Sequence, residues 1–237
     1  MSENAETIRV NFSRPVPLFP LDAPALLPHQ VLPLHIFEPR YRQMVSDALD
    51  GSGLIAMAVF RGEHWKQEYH GRPPLRTAVC LGRIAQHEKL PDGRYNILLQ
   101  GVCRARIRQE LAPVEGRLYR EALLAPVEDA EAPDGREASE LRSWLGEEFR
   151  GGPLSRLRIA GSVSEIIERD DVPTPAIMEL VSYAVLAEPE LRYRLLAEGD
   201  PEIRATLIRC ELEHLSDLIR RAGSQHPEDW PKGLSWN

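Results

Sequence analysis

Short apolar runs in the first half of the chain predict β-strands with one helix among them. Prolines recur from Pro15 to Pro39 and exclude a helix through most of that segment, so residues 16–19 and 31–36 are predicted to be edge or terminal strands. After Pro39, apolar side chains recur at helical spacing as far as Leu49, and Pro39 suits the first position of a helix. The continuous apolar run 54–60 predicts a buried strand.

Two longer β-rich runs, residues 78–90 and 94–111, are joined by the turn sequence Pro91-Asp92-Gly93 and predict a hairpin. Gly101 interrupts the second run and predicts a bulge or a bend. A last strand is predicted within residues 117–127, and the polar stretch 61–74 is predicted to be a loop.

The second half of the chain has a helical period. An acidic connector, residues 127–137, precedes five segments in which apolar residues recur every three or four positions. These segments predict helices at residues 137–149, 154–169, 174–185, 190–198 and 201–221.

Charge changes where the hydrophobic period changes. Residues 1–125 carry 16 Lys and Arg against 13 Asp and Glu, whereas residues 126–237 carry 13 against 23. Such an asymmetry predicts two units with different surfaces. We expect a β-rich subdomain at 14–127, a helical subdomain at 136–222, and flexible termini at 1–13 and 223–237.

Composition excludes several classes of protein. The 237 residues are 43% hydrophobic and 27% charged, which is typical of a globular chain rather than a disordered one. Three widely spaced cysteines do not make a disulfide framework. No apolar run approaches the roughly 18 residues of a membrane span, and the N-terminal sequence lacks the features of an export signal. A cytoplasmic location without membrane association is therefore predicted.

Lysine occurs only at positions 66, 89 and 232, and all other basic residues are arginine. The Gly-Lys-Ser/Thr sequence of an ATP-binding loop is absent from the chain. None of the three lysines is predicted to be buried, as the lysine of a Ser-Lys dyad must be. We therefore predict no catalytic residue, no cofactor and no metal.

Residues 15–45, PVPLFPLDAPALLPHQVLPLHIFEPRYRQMV, resemble the start of the N-terminal, substrate-binding domain of the Lon protease family. Residues 79–107 look like the same family's glycine-containing strand, PDG hairpin and following strand, and residues 175–215 are similar to its helical part. The chain departs from the family pattern at His29, where glycine is common, and in the insertion-like stretch 61–74.

The resemblance covers roughly residues 14–220 and implies an α+β fold, in which a β-rich PUA-like pseudo-barrel with one helix is followed by a C-terminal α-helical bundle. It also implies a stand-alone, non-catalytic module without ATPase or protease domains. The implied partner is unfolded or extended polypeptide, and the implied role is that of an accessory or adaptor in protein quality control, together with a separate protease or ATPase.

Four aromatic residues are candidates for contacting such a polypeptide: Phe37, Tyr41, Trp65 and Tyr69. A few exposed aromatic side chains give useful affinity without sequence specificity, at about 25 cal/mol per Å² of buried apolar surface. The alternative for Phe37 and Tyr41 is a place in the core.

Three alternating arginines, Arg104, Arg106 and Arg108, are candidates for an anionic ligand. They would project from one strand face toward an acidic peptide, a phosphate chain or RNA, since PUA-like folds sometimes bind RNA. The alternative is a solvated strand face. A net charge of −7 and the scarcity of lysine make nucleic acid the weaker partner.

A peptidase-like hydrolase is the alternative in another class. His35 with Glu38, or His64 with Glu68 and His70, would then supply acid/base chemistry or ligands, although both sets are also explained by corner hydrogen bonds or a solvated loop. Cys80 and Cys103 are expected to be core thiols, with a facing pair across the hairpin as the alternative.

Overall fold

The structure is a computed structural model that describes residues 10–67, 71–127 and 135–224. Within these residues the strands are β1 (Val16–Leu21), β2 (Val31–Ile36), β3 (Leu54–Val59), β4 (Ala78–Lys89), β5 (Tyr95–Glu110) and β6 (Arg120–Pro126). The helices are α1 (Pro39–Leu49), α2 (Arg136–Arg150), α3 (Ala160–Ile167), α4 (Thr174–Val185), α5 (Pro189–Ala197) and α6 (Pro201–Ser224). Short 3-10 helices lie at His64–Lys66 and Pro153–Arg156.

The six strands form one sheet in the order β2-β5-β4-β3-β1-β6, and β6 also pairs with β5. The sheet therefore closes on itself through β5, β4, β3, β1 and β6. Strands β1 and β3 are parallel, and the other pairs are antiparallel. The predicted α+β fold, a β-rich barrel with one inserted helix and a helical C-terminal part, is confirmed.

Gly101 marks the point at which β5 changes its partner. The first part of β5 pairs with β2, and the part after the bulge pairs with β6. The register of β5 on β4 shifts at this glycine, as the sequence predicted, and a Cβ on Gly101 would lie 2.1 Å from the carbonyl oxygen of Leu27. The close approach of this backbone carbonyl explains why the position holds glycine.

His29 occupies the turn that precedes β2. It has a φ of 63°, in the left-handed region that glycine prefers, and its N–H donates to the Gly101 carbonyl at 3.0 Å. The histidine therefore keeps the backbone conformation that a glycine would adopt there, at a local conformational cost.

The barrel unit has two hydrophobic clusters, and β3 contributes to both because all six of its residues are buried. Ala56 and Ala58 belong to a cluster supplied by all five closed strands, which is the barrel interior. Ile55 and Met57 face a second cluster that includes residues of α1 and α5. This two-sided burial explains the uninterrupted apolar run in the sequence.

Helix α5 packs with the barrel, although it lies in the helical half of the sequence. The two compact units of the fold are residues 1–132 with 187–199, and residues 133–186 with 200–237. The hydroxyl of Tyr193 accepts a hydrogen bond from the buried N–H of Ala78 at 2.9 Å, and Arg76 forms a two-point ion pair with Glu190. The subdomain boundaries expected from the sequence, 14–127 and 136–222, place α5 with the other C-terminal helices, and these boundaries remain a prediction.

The second unit is a bundle in which α2 contacts α3, α4 and α6. Its apolar core includes Leu141, Leu145 and Phe149 of α2. The Glu202 carboxylate of α6 accepts hydrogen bonds from the first N–H groups of α2, at 3.0 and 3.2 Å, and so stabilises that helix end. The helix predicted at 154–169 is confirmed only for α3, because extended backbone at Leu157 separates α3 from a 3-10 helix that precedes it.

None of the helices within the described residues is long and apolar enough to cross a membrane.

Candidate functional site

The corner between β2 and α1 holds the most exposed aromatic side chain in the described part of the barrel unit. Phe37 is 61% exposed, and its ring lies 6.4 Å from that of His35. Glu38 then caps α1, its carbonyl accepts from the N–H groups of Tyr41 and Arg42, and Pro39 takes the first helical position as predicted. Phe37 is therefore held at the surface by a rigid strand-to-helix connection.

Strand β2 is an edge strand. Among the described residues it pairs only with β5, so its other edge is open. Val31, Pro33 and His35 point to the exposed face, and Val31 is 55% exposed. Because proline has no N–H, Pro33 fits a position whose backbone faces away from β5, and the open edge then offers N–H donors at Val31 and His35.

A cleft of about 600 Å³ begins two residues after β2 ends. It is lined by residues of β1, by the start of α1, by residues 71–72 and by the connection between β5 and β6. Leu118, on that connection, is 59% exposed. The cleft combines apolar surface with four arginines, at positions 40, 72, 117 and 120.

Two of these arginines, Arg72 and Arg120, form a basic wall whose guanidinium groups contact Glu110. Arg120 donates from Nε and Nη2 to this carboxylate at 2.8 and 2.5 Å, and Arg72 donates to the same group. Burial alone would raise the pKa of Glu110, but the hydrogen bonds from Arg120 and Arg72 outweigh burial and lower the pKa. One carboxylate thus serves two guanidinium groups, and within the part of the chain that the structure describes this leaves positive charge in excess at this end of the cleft.

Polar contacts fix the β5–β6 connection to α1. The Gln43 side chain donates to the Gly116 carbonyl and accepts from the Leu118 N–H, both at 2.7 Å. The Tyr119 hydroxyl donates to Asp47 at 2.9 Å, and burial together with this carboxylate raises the pKa of Tyr119 to about 12. These contacts present Leu118 on a held loop.

The four predicted aromatic residues do not form one groove. Tyr41 is only 4% exposed and packs on Phe19, with 4.2 Å between ring centroids, although its edge reaches the cleft. Trp65 is half-buried and stacks on Phe60 at 4.8 Å. Tyr69 lies outside the described residues. Phe37 is thus the one member of the set that the described residues show as broadly exposed.

The three predicted arginines have different surroundings. Arg104 is 1% exposed, and its Nε donates to the Leu195 carbonyl at 2.9 Å. Arg106 is exposed and donates to the Ala197 carbonyl at 3.2 Å, whereas Arg108 is exposed on the strand. The alternation predicted one shared face for an anion, but helix α5 covers Arg104 and removes it from contact with a ligand.

Of the histidines predicted for acid/base chemistry, His35 is engaged in another contact. His35 Nδ1 lies 2.7 Å from the Asn96 side-chain oxygen, and Glu38 forms an ion pair with Arg40. The side chain of His64, with Glu68 and His70, lies outside the described part of the chain. In residues 10–67, 71–127 and 135–224, no three His, Cys, Asp or Glu side chains are grouped as a metal site requires.

Cys80 and Cys103 are not opposite each other across the hairpin. In the register of β4 on β5, Cys80 faces Arg104 and Leu81 faces Cys103. Cys80 is buried in the cluster beneath α1, and Cys103 packs against the barrel interior.

Sequence reasoning missed the cleft because its residues come from distant segments. Arg72 precedes β4, whereas Arg117, Leu118 and Arg120 follow β5. No periodic pattern connects these positions. The one local signal was a leucine beside an arginine, Arg117-Leu118, and both residues were included in the predicted last strand.

The chain is similar to known proteins in both sequence and fold. The sequence matches the family model of the substrate-binding domain of ATP-dependent protease La (LON) over residues 15–214. It is 22% identical over 220 residues to a Lon protease of Desulfosudis oleivorans, covering 92% of this chain and 26% of that protein. It is 25% identical over 205 residues to a Lon protease of Anaeromyxobacter dehalogenans, covering 86% of this chain and 24% of that protein.

Solved structures give the same fold. The N-terminal domain of Mycobacterium avium complex Lon protease superposes with a TM-score of 0.61 at 21% identity, over 82% of this chain and 96% of that one. The Lon N-terminal domain protein from Xanthomonas campestris gives a TM-score of 0.57 at 19% identity, over 83% of this chain and 98% of that one. The chain spans about a quarter of the length of the curated relatives. By its sequence match, the chain belongs to the family of LON substrate-binding domains.

Proposed function

We propose that this chain is a non-catalytic module that binds extended polypeptide by adding it as a strand to the open edge of β2. The observation that carries the proposal is an edge strand followed directly by the exposed side chain of Phe37. Strand addition supplies main-chain hydrogen bonds, and neighbouring apolar surface accepts alternate side chains. The family match to a substrate-binding domain supports this role.

The edge favours weak binding of short segments. Pro33 removes one N–H donor from the middle of β2, which also limits edge-to-edge association of the protein with itself. Ordering a flexible partner costs free energy, so a dissociation constant of about 10 μM is expected. Such an affinity suits a module that holds unfolded chains for a separate protease or ATPase, as an accessory in protein quality control.

The test is fluorescence anisotropy of a labelled, permanently unfolded polypeptide titrated with the full chain. His35→Pro removes an N–H donor from the open edge, whereas the matched control His35→Ala removes the imidazole and keeps that N–H. We expect His35→Pro to weaken binding at least about fivefold and His35→Ala to change it less than about twofold. Phe37→Ser leaves the β2 backbone intact and should also weaken binding. This variant keeps the proposal testable if His35→Pro fails to fold.

Two results would contradict the proposal. One is the absence of binding at about 100 μM protein, well above the expected constant. The other is equal binding by wild type, folded His35→Pro and Phe37→Ser, which would place the polypeptide elsewhere.

A further inference from the structure

The cleft between α1 and the β5–β6 connection has a chemistry that the open edge of β2 lacks. Its lining combines apolar side chains with arginines. Leu118 is broadly exposed, and Arg72 and Arg120 form the basic wall. An occupant that satisfies both surfaces carries an apolar side chain close to a negative charge.

The basic wall keeps capacity for an additional carboxylate. Arg40 forms an ion pair with Glu38, and Arg117 forms one with Glu121. Arg72 and Arg120 instead share Glu110. The Asp47 carboxylate, bound by Tyr119, lies on α1 outside the cleft lining. Among the described residues, the imbalance of charge therefore lies at the Arg72 and Arg120 end.

The guanidinium groups on this wall are held in place before any ligand arrives. Arg120 donates to Glu110 and to the Pro73 carbonyl at 2.7 Å, and Arg72 donates to the Leu111 carbonyl at 2.9 Å. Prior fixing lowers the entropy lost when a carboxylate binds. Arginine also presents several N–H donors in a planar fork, so a group that already binds one carboxylate can offer donors to another.

We propose that this cleft selects extended polypeptide segments in which an apolar side chain is flanked by a carboxylate, the apolar group lying against Leu118 and the carboxylate against Arg72 and Arg120. This inference rests on the proposed function and gives it a substrate preference. The position of the cleft supports it, because Glu38 and Pro39 of the cleft wall follow Phe37 and the end of β2 directly. A segment leaving the strand edge at Phe37 would reach the cleft within a few residues.

The test compares two labelled ten-residue peptides that differ only at the two positions flanking a central leucine, which are Glu in one and Gln in the other. Anisotropy titrations use the full-length chain, Arg72→Gln, Arg117→Gln and the control Arg150→Gln, an exposed arginine of the helical unit. We expect wild type and Arg150→Gln to bind the Glu peptide about fivefold more tightly than the Gln peptide at low salt. The preference should fall below about twofold in Arg72→Gln and in 0.5 M NaCl, where exposed charges are screened.

A separate substitution tests the apolar contact in the cleft. Leu118→Ser should weaken both peptides to a similar extent and leave their ratio near five, because the leucine side chain is common to both. Arg117→Gln leaves Glu121 without its guanidinium partner and should lower the ratio of the two peptide affinities. This variant keeps the charge test available if Arg72→Gln does not fold.

The outcomes separate this inference from the proposed function. Equal affinities of wild type for the two peptides, with binding still weakened by His35→Pro, would overturn the cleft preference and leave strand addition standing. Failure of both peptides to bind at about 100 μM would overturn the proposed function itself. If an equal concentration of single-stranded RNA displaced the Glu peptide, the basic wall would be a binding surface for a phosphate chain. That result would also overturn the inference.

Discussion

The Arg104 guanidinium, fully buried on β5, donates its Nε–H to the Leu195 carbonyl in the last turn of α5 at 2.9 Å. The last carbonyls of a helix have no partner within the helix, and a cation there also interacts favourably with the helix dipole. Arg106 adds a second hydrogen bond, to the Ala197 carbonyl at 3.2 Å. Two arginines of a barrel strand therefore stabilise the C-terminal end of a helix that is 91 residues away in sequence.

Replacing Arg104 should destabilise the protein strongly. Arg104→Ala removes a large buried side chain and leaves the Leu195 carbonyl without its donor, so we expect a loss of about 3 kcal/mol in the free energy of unfolding. Urea denaturation followed by circular dichroism measures it. The control is Arg108→Ala, an exposed position on the same strand, with an expected change below about 0.5 kcal/mol. Similar losses in the two variants would contradict the assignment of Arg104 to the helix end.

Substitution of Gly101 should be costly for a steric reason. In Gly101→Ala the new methyl group would lie 2.1 Å from the backbone oxygen of Leu27, so the turn before β2 must move, at a cost of about 2 kcal/mol or more. At Gly161, near the start of α3, a methyl group would meet no atom within 4 Å. Gly161→Ala should therefore be neutral or stabilising by up to about 1 kcal/mol. Thermal melting of both variants decides the matter, and an unchanged melting temperature for Gly101→Ala would count against the close approach.

The Glu110 ion pairs should give stability that depends on pH. The pKa of Glu110 is lowered in the folded state, so its contribution is present above the ordinary value of 4.5 and is lost as pH falls through the folded-state value. Glu110→Gln lacks this titration. We expect wild type to exceed Glu110→Gln in the free energy of unfolding at pH 7, with a difference that shrinks between about pH 5 and pH 3. A constant difference over that range, measured by urea denaturation, would contradict the role of the carboxylate charge.

Tyr119 should titrate at the opposite end of the pH scale. Its folded-state pKa of about 12 lies above the ordinary 10.0, so the stability it contributes is complete below pH 10 and is lost as pH rises toward 12. Absorbance at 295 nm should show this tyrosine ionising after the exposed ones. Tyr119→Phe should remove the late step, and a late step that persists in the variant would belong to another tyrosine.

The purified protein is expected neither to hydrolyse ATP nor to cleave unfolded casein. The sequence has no phosphate-binding loop, and His35 contacts an amide oxygen rather than a carboxylate. Phosphate release and casein fragments on gels are the measurements. Turnover that survives purification to homogeneity, and that disappears in a folded His35→Ala or His64→Ala variant, would establish a hydrolase instead.

The local structure of the barrel unit could be predicted from the amino-acid sequence alone. The prolines before residue 39, the PDG turn and the glycine at 101 limit the backbone at single positions, and the period of apolar residues distinguishes strand from helix. The segment 15–45 also carried part of the family resemblance. These features are local, and therefore the amino-acid sequence alone indicates them.

The packing of α5, the burial of individual arginines and the lining of the cleft became evident only in three dimensions. Arg104, Arg106 and Arg108 alternate in sequence, as residues of a solvated strand face do. No neighbouring residue in the sequence indicates that a helix 91 residues later covers Arg104. Likewise, the cleft brings Arg72 beside Glu110 and Arg120 through the closure of β5 on β6. Periodicity tells which residues share a face, but the partner of that face is set by contacts between segments far apart in the chain.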